Sequence, residues 1–400
     1  PPYDRVPQVT ARYALTNVLG IDWSVDGDFT QFEADRSRTL QPNAQRAVAL
    51  LQVSRPWLAP AGFVIPKVQL HATGYQFDSA LGNGARSADS VVPTVSLDSG
   101  LVFERDTRLF GRNLVQTLEP RAFYVYTPYR DQSALPNYDT AANDFNFATI
   151  YTENAFVGHD KISDNNLLTL GVTTRFLDAD TGAQLARFGM AQRLRVETQR
   201  VTLNATDAPA QAGFSDVMLG ASVNVQDHWA LDSTVQYNGK TDQSVRSTVG
   251  ARYNPGNYRV VNAAYRFQRD VSEQLDVSWQ WPLNSLWGDR GQELGAGRGQ
   301  GEGRYYSVGR LNYSLNERRL VDTILGVEYD AGCWLARVLL ERTQTSSSTA
   351  TGRIMFQLEF VGFTRLGLGG NPIQTLTQNI SRYQNLRDTG GTSSRFSNYD

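Results

Sequence analysis

The sequence predicts an all-β protein, a large antiparallel transmembrane β-barrel. Three observations predict this class: many short segments alternate apolar and polar side chains, long apolar runs are missing, and aromatic residues are frequent in a polar chain. Of the 400 residues 40% are hydrophobic, with 18 Tyr, 18 Phe and 7 Trp, and the mean hydropathy is −0.39. No run approaches the ~18 apolar residues of a membrane helix. Aromatic residues within polar strands instead suit a wall that meets lipid on one side and water on the other.

The alternation is clear in residues 21–31 and recurs along nearly the whole chain. Trp23 and Val25 fall on one side of this segment, and Asp22 and Asp26 fall on the other. A two-residue period places successive side chains on opposite faces of a strand. It predicts about seventeen strands, or 16–18 allowing for loose boundaries. They lie near residues 8–15, 21–31, 45–53, 63–77, 91–104, 115–127, 166–177, 186–196, 216–225, 229–237, 244–253, 258–267, 273–281, 305–313, 320–329, 333–342 and 353–361.

The connections between the predicted strands indicate which end of the sheet is outside. If strands alternate in direction, the short connections share one end, and they are residues 226–228, 254–257 and 330–332. The opposite end holds the mostly long connections 78–90, 128–165, 197–215 and 343–352. Barrels of this kind have short periplasmic turns and long outer loops. Residues 128–165 are therefore expected to form a long extracellular loop.

One connection at the short-turn end is long and rich in glycine. Residues 284–304 are interpreted as a flexible periplasmic insertion, because this composition cannot bury enough apolar surface to order itself. A missed strand is the alternative. The predicted barrel covers residues 1–361, and residues 362–400 are expected to be a C-terminal periplasmic or lumenal tail.

The first predicted strand does not begin on the side of the membrane where the last one ends. The last predicted strand, 353–361, ends at the periplasmic side, whereas the first, 8–15, would begin outside the cell. Bacterial single-chain barrels normally have an even number of strands with both ends inside. The parity predicts further strands upstream of residue 1, and the chain opens Pro1-Pro2-Tyr3 without an initiator Met.

Catalytic and metal-binding chemistry has little support in the sequence. His71, His159 and His228 are the three histidines, and they fall in a strand, a long loop and a tight turn with no nucleophile motif nearby. The glycine-rich segment lacks the Lys-Ser/Thr ending of a phosphate loop. The net charge of −2 creates no field that would attract nucleic acid. No enzyme activity, cofactor, metal site or nucleic-acid partner is expected.

Charged and polar side chains cluster around the strand at 115–127 and the loop that follows it. Glu119 and Arg121 are two positions apart, so both point to the water-facing side. They either pair with neighbouring strands or contact a plug or a polar ligand. The loop then begins with four residues able to fold inward, Tyr129, Arg130, Asp131 and Gln132.

Several short runs carry a resemblance to a known family. They are Val102-Phe103-Glu104-Arg105-Asp106, Leu118-Glu119-Pro120-Arg121, Tyr129-Arg130-Asp131-Gln132, Asn137-Tyr138-Asp139, Gly158-His159-Asp160-Lys161-Ile162, Gly171-Val172-Thr173-Thr174-Arg175, Gly332-Cys333-Trp334, Phe356-Gln357-Leu358-Glu359-Phe360 and Asn379-Ile380-Ser381-Arg382-Tyr383. Together they resemble the LPS-assembly outer-membrane protein family, LptD (also OstA or Imp), and the resemblance covers essentially the whole chain.

The resemblance implies an architecture and a set of partners. The family barrel has roughly 26 strands, at the upper end of the ordinary range, so this chain would be its C-terminal part, without the N-terminal strands and the periplasmic jellyroll. The resemblance further implies a plug lipoprotein, LptE, and a periplasmic bridge protein, LptA. Lipopolysaccharide would leave sideways between the first and last strands while its sugar passes through the lumen. Glu119, Arg121 and the four loop residues are then candidate plug or lipopolysaccharide contacts.

Cys333 is the single cysteine, so no disulfide can close within this sequence. The family typically has two adjacent cysteines here, bonded to cysteines of the N-terminal periplasmic region, and Gly332 takes the first place in this chain. The resemblance therefore implies one disulfide from Cys333 to a partner outside the chain. The position in a short periplasmic turn, an oxidising compartment, agrees with this. A buried inert thiol is the alternative.

The resemblance also places one side of a lateral gate. The last predicted strand, 353–361, would supply the edge, with its outward side chains Ile354, Phe356, Leu358 and Phe360. An exposed strand edge is costly unless it is weakly paired or covered, which makes an opening at the seam plausible.

The expected function is a bacterial outer-membrane translocon that places lipopolysaccharide in the outer leaflet. The alternative is a general porin or a ligand-gated channel, which would conduct ions readily without removal of a plug. An outer-membrane enzyme is a third class and would depend on one of the three histidines.

Overall fold

The computed structural model describes residues 3–35, 37, 39, 41–81, 84–109, 111–204, 206–225, 228–292, 294–344, 349–361 and 363–387. Hydrogen bonds assign 21 strands of this described part to one sheet, and the registers that connect them are antiparallel. The predicted fold class is thus confirmed, and each of the seventeen predicted segments contains a strand. By its contacts the chain forms two compact units, described separately below.

Unit 1 comprises residues 1–183, 187–219 and 237–242. Its strands follow one another as antiparallel neighbours, and the long loop between the eighth and the eleventh carries a small separate hairpin. The strands are β1 (Tyr3–Val18), β2 (Ile21–Ala34), β3 (Ala44–Ser54), β4 (Trp57–Ala59), β5 (Gly62–Phe77), β6 (Ser87–Leu101), β7 (Phe103–Leu109), β8 (Arg112–Thr127), β9 (Ala141–Ala142), β10 (Phe156–Val157), β11 (Asn165–Asp178) and β13 (Gly213–Phe214). The strands β12 (Gln184–Arg195), β14 (Val217–Val225) and β15 (Trp229–Asn238) contribute residues to both units.

Unit 2 comprises residues 184–186, 220–236 and 243–400. Its strands form a meander in which each pairs with the next. They are β16 (Gln243–Gly256), β17 (Arg259–Gln268), β18 (Ser272–Pro282), β19 (Arg304–Ser314), β20 (Arg319–Asp330), β21 (Trp334–Gln344), β22 (Ala350–Phe360) and β23 (Thr364–Leu368), followed by the helix α1 (Pro372–Asn379). A single 3-10 turn, Leu283–Trp287, follows β18. None of the described helical segments has both the length and the apolar character required to span a membrane.

The two faces of the strands are inverted relative to a water-soluble protein. In β6, Val95 is 47% exposed, while its neighbours Thr94 and Ser96 are 5% and 2% exposed. The same inversion holds in β21, where Val338 is 44% exposed and Arg337 is fully buried. Burial of apolar surface stabilises a fold by roughly 25 cal/mol per Å², so an apolar outer face requires an apolar surrounding. A lipid bilayer supplies it.

Several short strands of the sheet lie partly or wholly outside the predicted segments. β4 and β7 are short continuations of β3 and β6, and each pairs with the same neighbour as the strand before it. β23 follows β22 after the boundary predicted at residue 361, and it pairs with Phe356–Phe360. β23 was not predicted because its five residues, TRLGL, are too few to show a period of two.

Two further expectations concern the segments outside the wall. Part of the tail expected at 362–400 belongs to the sheet as β23, residues 369–387 pack on strands of unit 2, and residues 362 and 388–400 lie outside the described part. Neighbouring residues supply hydrogen-bond partners to the described part of the segment 284–304, and its flexibility stays a prediction. The Tyr258 hydroxyl accepts hydrogen bonds from the backbone N–H groups of Arg298 (3.0 Å) and Gly299 (2.9 Å) and donates one to the Gly295 carbonyl (3.1 Å).

Candidate functional site

The inward faces of both units are covered by segments of the chain itself. In unit 1 the long loop 128–165 packs on the strand residues Tyr75, Phe77, Phe123 and Val125, and this surface is called the loop-covered face. In unit 2 residues 369–387 pack on Val260, Val308, Ile324, Leu339 and Met355, and this surface is called the tail-covered face. The buried side chains of the two faces include many charged groups.

Arg46 is the central charge of the loop-covered face. Antiparallel register places it in β3 between Thr30 of β2 and Tyr75 of β5, so the period of two points all three side chains to the same side. Its guanidinium is fully buried and donates to Asp160 (Nη1 to Oδ1, 2.8 Å) and Asp139 (Nη2 to Oδ2, 2.8 Å). Both carboxylates belong to the loop, so Arg46 fastens the loop to the wall.

Three carboxylates surround the single charge of Arg46, and hydrogen-bond donors from other residues stabilise their negative charge. Asp28 lies 3.4 Å from the Arg46 Nη2 and accepts hydrogen bonds from Gln8 (2.6 Å) and Thr30 (2.7 Å). Asp160 accepts a hydrogen bond from the Tyr75 hydroxyl (2.5 Å). The backbone N–H groups of residues 138 and 139 both donate to the other Asp160 oxygen at 2.7 Å. A buried charge with this number of partners holds a single geometry.

The pKa values of the two loop carboxylates are shifted in opposite directions. Burial would raise the pKa of Asp139, but the hydrogen bond and the charge of Arg46 outweigh it and hold this pKa well below its ordinary value. Burial and the nearby Asp139 charge raise the pKa of Asp160, more than Arg46 lowers it. Protonation from neutral pH downward therefore begins at Asp160.

Two more arginines of the wall hold the middle of the loop. Arg121 forms a bidentate ion pair with Asp98 (2.9 and 2.6 Å), and its guanidinium lies 4.1 Å from the centre of the Tyr151 ring. Gly171, opposite Arg121 in the register of β8 and β11, leaves space that the Tyr151 hydroxyl occupies. Arg193 donates to the carbonyl oxygen of Ile150 and is itself buried. Cationic side chains of three different strands thus seat one loop.

The sequence-predicted residues have distinct positions. Glu119 pairs with Arg175 of β11 at 3.1 Å, so Glu119 and Arg121 each have a partner on a neighbouring strand. Gln132 is buried and exchanges two hydrogen bonds with the backbone of Ile162, at 2.7 and 2.9 Å. It ties the start of the loop to its end.

The other three loop candidates lie nearer to solvent. Tyr129 lies under the guanidinium of Arg200, 3.8 Å from the ring centre. Asp131 is exposed, and hydrogen bonds from Ser133 lower its pKa. Arg130 is exposed. Tyr129, Asp131 and Gln132 line a cavity of about 320 Å³.

Arg337 has the corresponding role on the tail-covered face. It is fully buried between Glu328 of β20 (2.7 Å) and Glu359 of β22 (2.8 Å), and it donates to the tail residue Asn385 (2.8 Å). The hydroxyl of Tyr383 in the tail donates to the same Glu328 carboxylate at 2.7 Å. Arg365 of β23 also pairs with Glu359 at 3.1 Å, so the tail is held by an ion-pair network whose charged members belong to four adjacent strands.

Further contacts fix the tail along its length. Gln384 exchanges hydrogen bonds with the Gln280 side chain at 2.8 and 2.9 Å. Arg387 makes two 3.0 Å hydrogen bonds to the buried Asp330 carboxylate. Apolar burial adds to these contacts, since Leu376 and Leu386 are completely buried. Hydrogen bonds, an ion pair and apolar burial therefore all hold the tail on this face.

The predicted disulfide residue lies in an open turn. Cys333 is an exposed free cysteine in the turn between β20 and β21. Gly332 before it has φ +84°, and a Cβ there would lie 2.5 Å from the Glu302 side chain. A side chain at position 332 is thus strained in this turn. The exposure contradicts the buried-thiol alternative and leaves the disulfide a prediction.

The predicted gate residues are not on the outermost strand. The side chains of Ile354, Phe356 and Phe360 are exposed at 68%, 39% and 41%, and Leu358 is partly buried. Phe356–Phe360 pairs with β23 on the side away from β21. The assignment of 353–361 as the edge strand is therefore corrected: over 356–360 the edge belongs to β23, and Ile354 lies beyond that pairing.

Sequence reasoning missed the two arginines that organise the covers. Asp139 and Asp160 lie within runs that were singled out, but nothing in the sequence around Arg46 or Arg337 marks them. Within the described residues, no group of three or more His, Cys, Asp or Glu side chains is arranged to hold a metal ion.

Comparisons with known proteins identify relatives along the whole chain. The family model described as LPS transport system D matches residues 1–287. The LPS-assembly protein LptD of Albidiferax ferrireducens is 66% identical over 400 residues, which are 100% of this chain and 50% of that protein. The LptD of Burkholderia thailandensis is 40% identical over 414 residues, again 100% of this chain and 50% of that protein. The chain spans about half the length of these curated relatives.

Similarity to solved structures is weak. The siderophore receptor PirA of Acinetobacter baumannii matches with a TM-score of 0.43 and 8% identity, covering 90% of this chain and 65% of the receptor. A ferric enterobactin receptor of Pseudomonas aeruginosa matches with a TM-score of 0.42 and 8% identity, covering 88% and 61%. Matches at this level carry no argument about function.

Proposed function

The chain belongs to the LPS transport system D family, and from this premise we propose that it works in placing lipopolysaccharide in the outer leaflet of the outer membrane. Its location is the bacterial outer membrane, with its strands crossing the bilayer. In this arrangement the loop-covered and tail-covered faces line the lumen, and the apolar faces of the strands face lipid.

One observation carries the proposal most directly: both lumenal faces are covered by elements of the chain fastened through buried arginines. An open porin needs an unobstructed water path, whereas here Arg46 holds a loop and Arg337 holds a tail on the inward faces. A covered lumen suits a translocon that opens only for its substrate. The alternative, a general porin or ligand-gated channel, is disfavoured by the same contacts.

The partners follow from the family and are part of the proposal. A plug lipoprotein, LptE, would occupy the lumen, and the bridge protein LptA would deliver lipopolysaccharide to a periplasmic domain. Cys333 would form its disulfide with that domain. Exposure of the thiol at a short turn supports this pairing, because a partner from outside the chain can reach it.

The lateral exit is proposed at the seam that contains β23. The pairing of β23 with β22 covers only five residues of β22, Phe356–Phe360. The pairing of β21 with β22 covers eleven, because Trp334–Gln344 pairs with Ala350–Phe360. A short pairing contributes fewer ladder hydrogen bonds and separates more easily. Ile354 and Phe356 would then line the opening on the lipid side.

The proposed function is tested by depletion of the complete protein in its source bacterium. We expect surface lipopolysaccharide, measured by its modification in intact cells, to fall as the protein is depleted and to return on complementation. Single-channel conductance of the purified complex should be low and rise when the copurifying lipoprotein is removed. Unchanged surface lipopolysaccharide together with high conductance of the intact complex would support the porin alternative instead.

Labelling of Cys333 tests the proposed disulfide separately. In the complete protein the thiol should react with a maleimide only after reduction. Labelling without reductant would show that no disulfide forms there.

A further inference from the structure

A depression rimmed by three arginines lies on the tail-covered face of unit 2. It is lined by Arg252 of β16, Arg266 of β17 and Arg310 of β19, and the volume of the cavity is about 490 Å³. We propose that this arginine depression binds a phosphorylated saccharide. The inference rests on the proposed function and names a contact that the substrate's sugar portion would make.

Small residues create the floor of the depression. Gly250 of β16 and Ala264 of β17 are directly paired in the register, and Ala264 is paired with Asp276 of β18 on its other side. A Cβ built on Gly250 would meet its nearest atoms at 3.9 Å, an ordinary van der Waals distance, and the absence of a side chain at this position keeps the floor low. The arginines stand on neighbouring register positions, and their long side chains can reach over the floor.

The charges around this floor are unequally paired. Arg266 and Arg310 share the single carboxylate of Asp276, at 3.3 and 2.6 Å. Arg252 has no hydrogen-bond or ion-pair partner among the described residues, although it lines the cavity. Asp232 also lines the cavity. Three guanidinium groups against two carboxylates leave a formal charge of +1, with one guanidinium uncommitted.

The tail forms the opposite wall and provides polar groups. Arg310 donates a hydrogen bond to the Asn379 side chain at 2.6 Å. Asn262 on the strand side donates to the Ser381 carbonyl at 3.1 Å. Thr377 and Gln378 also line the cavity. A ligand in the depression would therefore lie between the wall and the tail, with amides and hydroxyls on both sides.

This set of groups matches one ligand chemistry well. Guanidinium groups bind phosphate through paired N–H donors, and amides and hydroxyls suit sugar hydroxyl groups. The volume falls in the range of roughly 300–1,000 Å³ typical of small-molecule sites. Acidic side chains of a protein partner are the competing occupant. The enclosing tail wall favours a small ligand over a protein surface.

The test uses the complete purified protein and a defined probe. Equilibrium binding of a phosphorylated glucosamine disaccharide is compared with binding of the same disaccharide without phosphate. We expect the phosphorylated probe to bind at least about tenfold more tightly, as a charge-assisted hydrogen bond provides. Higher salt should weaken its binding.

Variants of the uncommitted arginine make the test specific. Arg252→Gln should lower the affinity for the phosphorylated probe roughly tenfold, and Arg252→Lys should retain part of it. Arg187→Gln is the matched control, because Arg187 is an exposed arginine of β12 outside the depression. Unchanged thermal unfolding of each variant shows that folding is not the cause.

The outcomes separate this inference from the proposed function. Equal affinity for the two disaccharides, or an unchanged affinity in Arg252→Gln, would overturn the phosphate site whatever the protein transports. Loss of a copurifying protein in Arg252→Gln without probe binding would assign the depression to a partner and overturn it as well. Specific probe binding in a protein that does not affect surface lipopolysaccharide would sustain the site and refute the transport proposal.

Discussion

Removal of the Arg46 guanidinium is the perturbation with the largest expected effect on the loop-covered face. Arg46→Ala leaves the fully buried Asp160 carboxylate without its cation, and it leaves the Asp139 carboxylate, which is 8% exposed, with only the half-exposed Arg5 at 3.7 Å. Loss of one partner of a buried ion pair typically costs about 3–5 kcal/mol. Since about 1.4 kcal/mol changes an equilibrium constant tenfold, the equilibrium constant for release of the loop should rise roughly a hundred- to several thousandfold. The strands, which pair through their backbones, should remain folded.

Limited proteolysis of the complete protein measures this release. In Arg46→Ala we expect rapid cleavage within 128–165, whereas the parent is cut slowly. Arg12→Ala is the matched control, because Arg12 pairs with Asp26 at 3.2 Å but is 73% exposed, and such a surface pair contributes roughly 0–1 kcal/mol. Equal cleavage rates in Arg46→Ala and Arg12→Ala would refute the reasoning.

Acid should release the same loop over a defined range. The pKa of Asp139 is lowered in the fold, so its stabilisation is complete above its ordinary pKa of 3.8 and is lost as pH falls below it. Protonation of Asp160, whose pKa is raised, occurs earlier and relieves repulsion between the two carboxyls. Since the raised pKa of Asp160 means that its protonation stabilises the docked loop, cleavage of the loop by an acid-stable protease should not rise between neutral pH and about pH 4 and should increase only below it. Release that begins near neutral pH would contradict this assignment.

Two further substitutions test the seats of the loop and the tail. Gly171→Ala would place a Cβ 1.8 Å from the Tyr151 hydroxyl oxygen, so we expect faster proteolysis of the loop. Gly27→Ala, where the nearest atom is 3.9 Å away, should leave the cleavage rate unchanged. Similar cleavage rates in both variants would refute the contact. Tyr383→Phe removes a hydrogen-bond donor to the buried Glu328 and should destabilise docking of the tail by about 1–3 kcal/mol. Faster hydrogen exchange of the tail amides measures this loss. Unchanged exchange would show that this hydrogen bond does not hold the tail.

The strands could be predicted because their signal is local. Each crossing repeats apolar and polar residues with a period of two, and this pattern appears in as few as eight residues. β7 was missed as a separate element because all five residues between the terminal Phe and Leu of its sequence, FERDTRL, are polar. β23 was missed because its five residues, with a glycine in the fourth place, are too few to establish a period.

The site could be predicted only in part, because its contacts join distant residues. Glu119 and Arg121 share a face as expected, but their partners Asp98 and Arg175 follow from the register of three strands, which the sequence leaves open. Arg46 is 93 and 114 residues from its two loop partners. No local pattern connects positions so far apart.

The tail illustrates the same difficulty. α1 has only eight residues, too few for a helical period to be distinguished from chance. The hydrogen bond between Tyr258 and Gln384 joins residues 126 positions apart. Its docking therefore depends on strand register rather than on its own sequence.

The multiple anchors of residues 369–387 make the docking of this segment a check on strand register. Its partners Tyr258, Gln280, Glu328 and Arg337 belong to four strands or their turns. A slip of one residue in a strand turns its side chains to the opposite face, so a misaligned crossing would present its anchor to hydrocarbon. Only correctly aligned strands offer all the partners together, so residues 369–387 can dock fully only after these strands have paired in register.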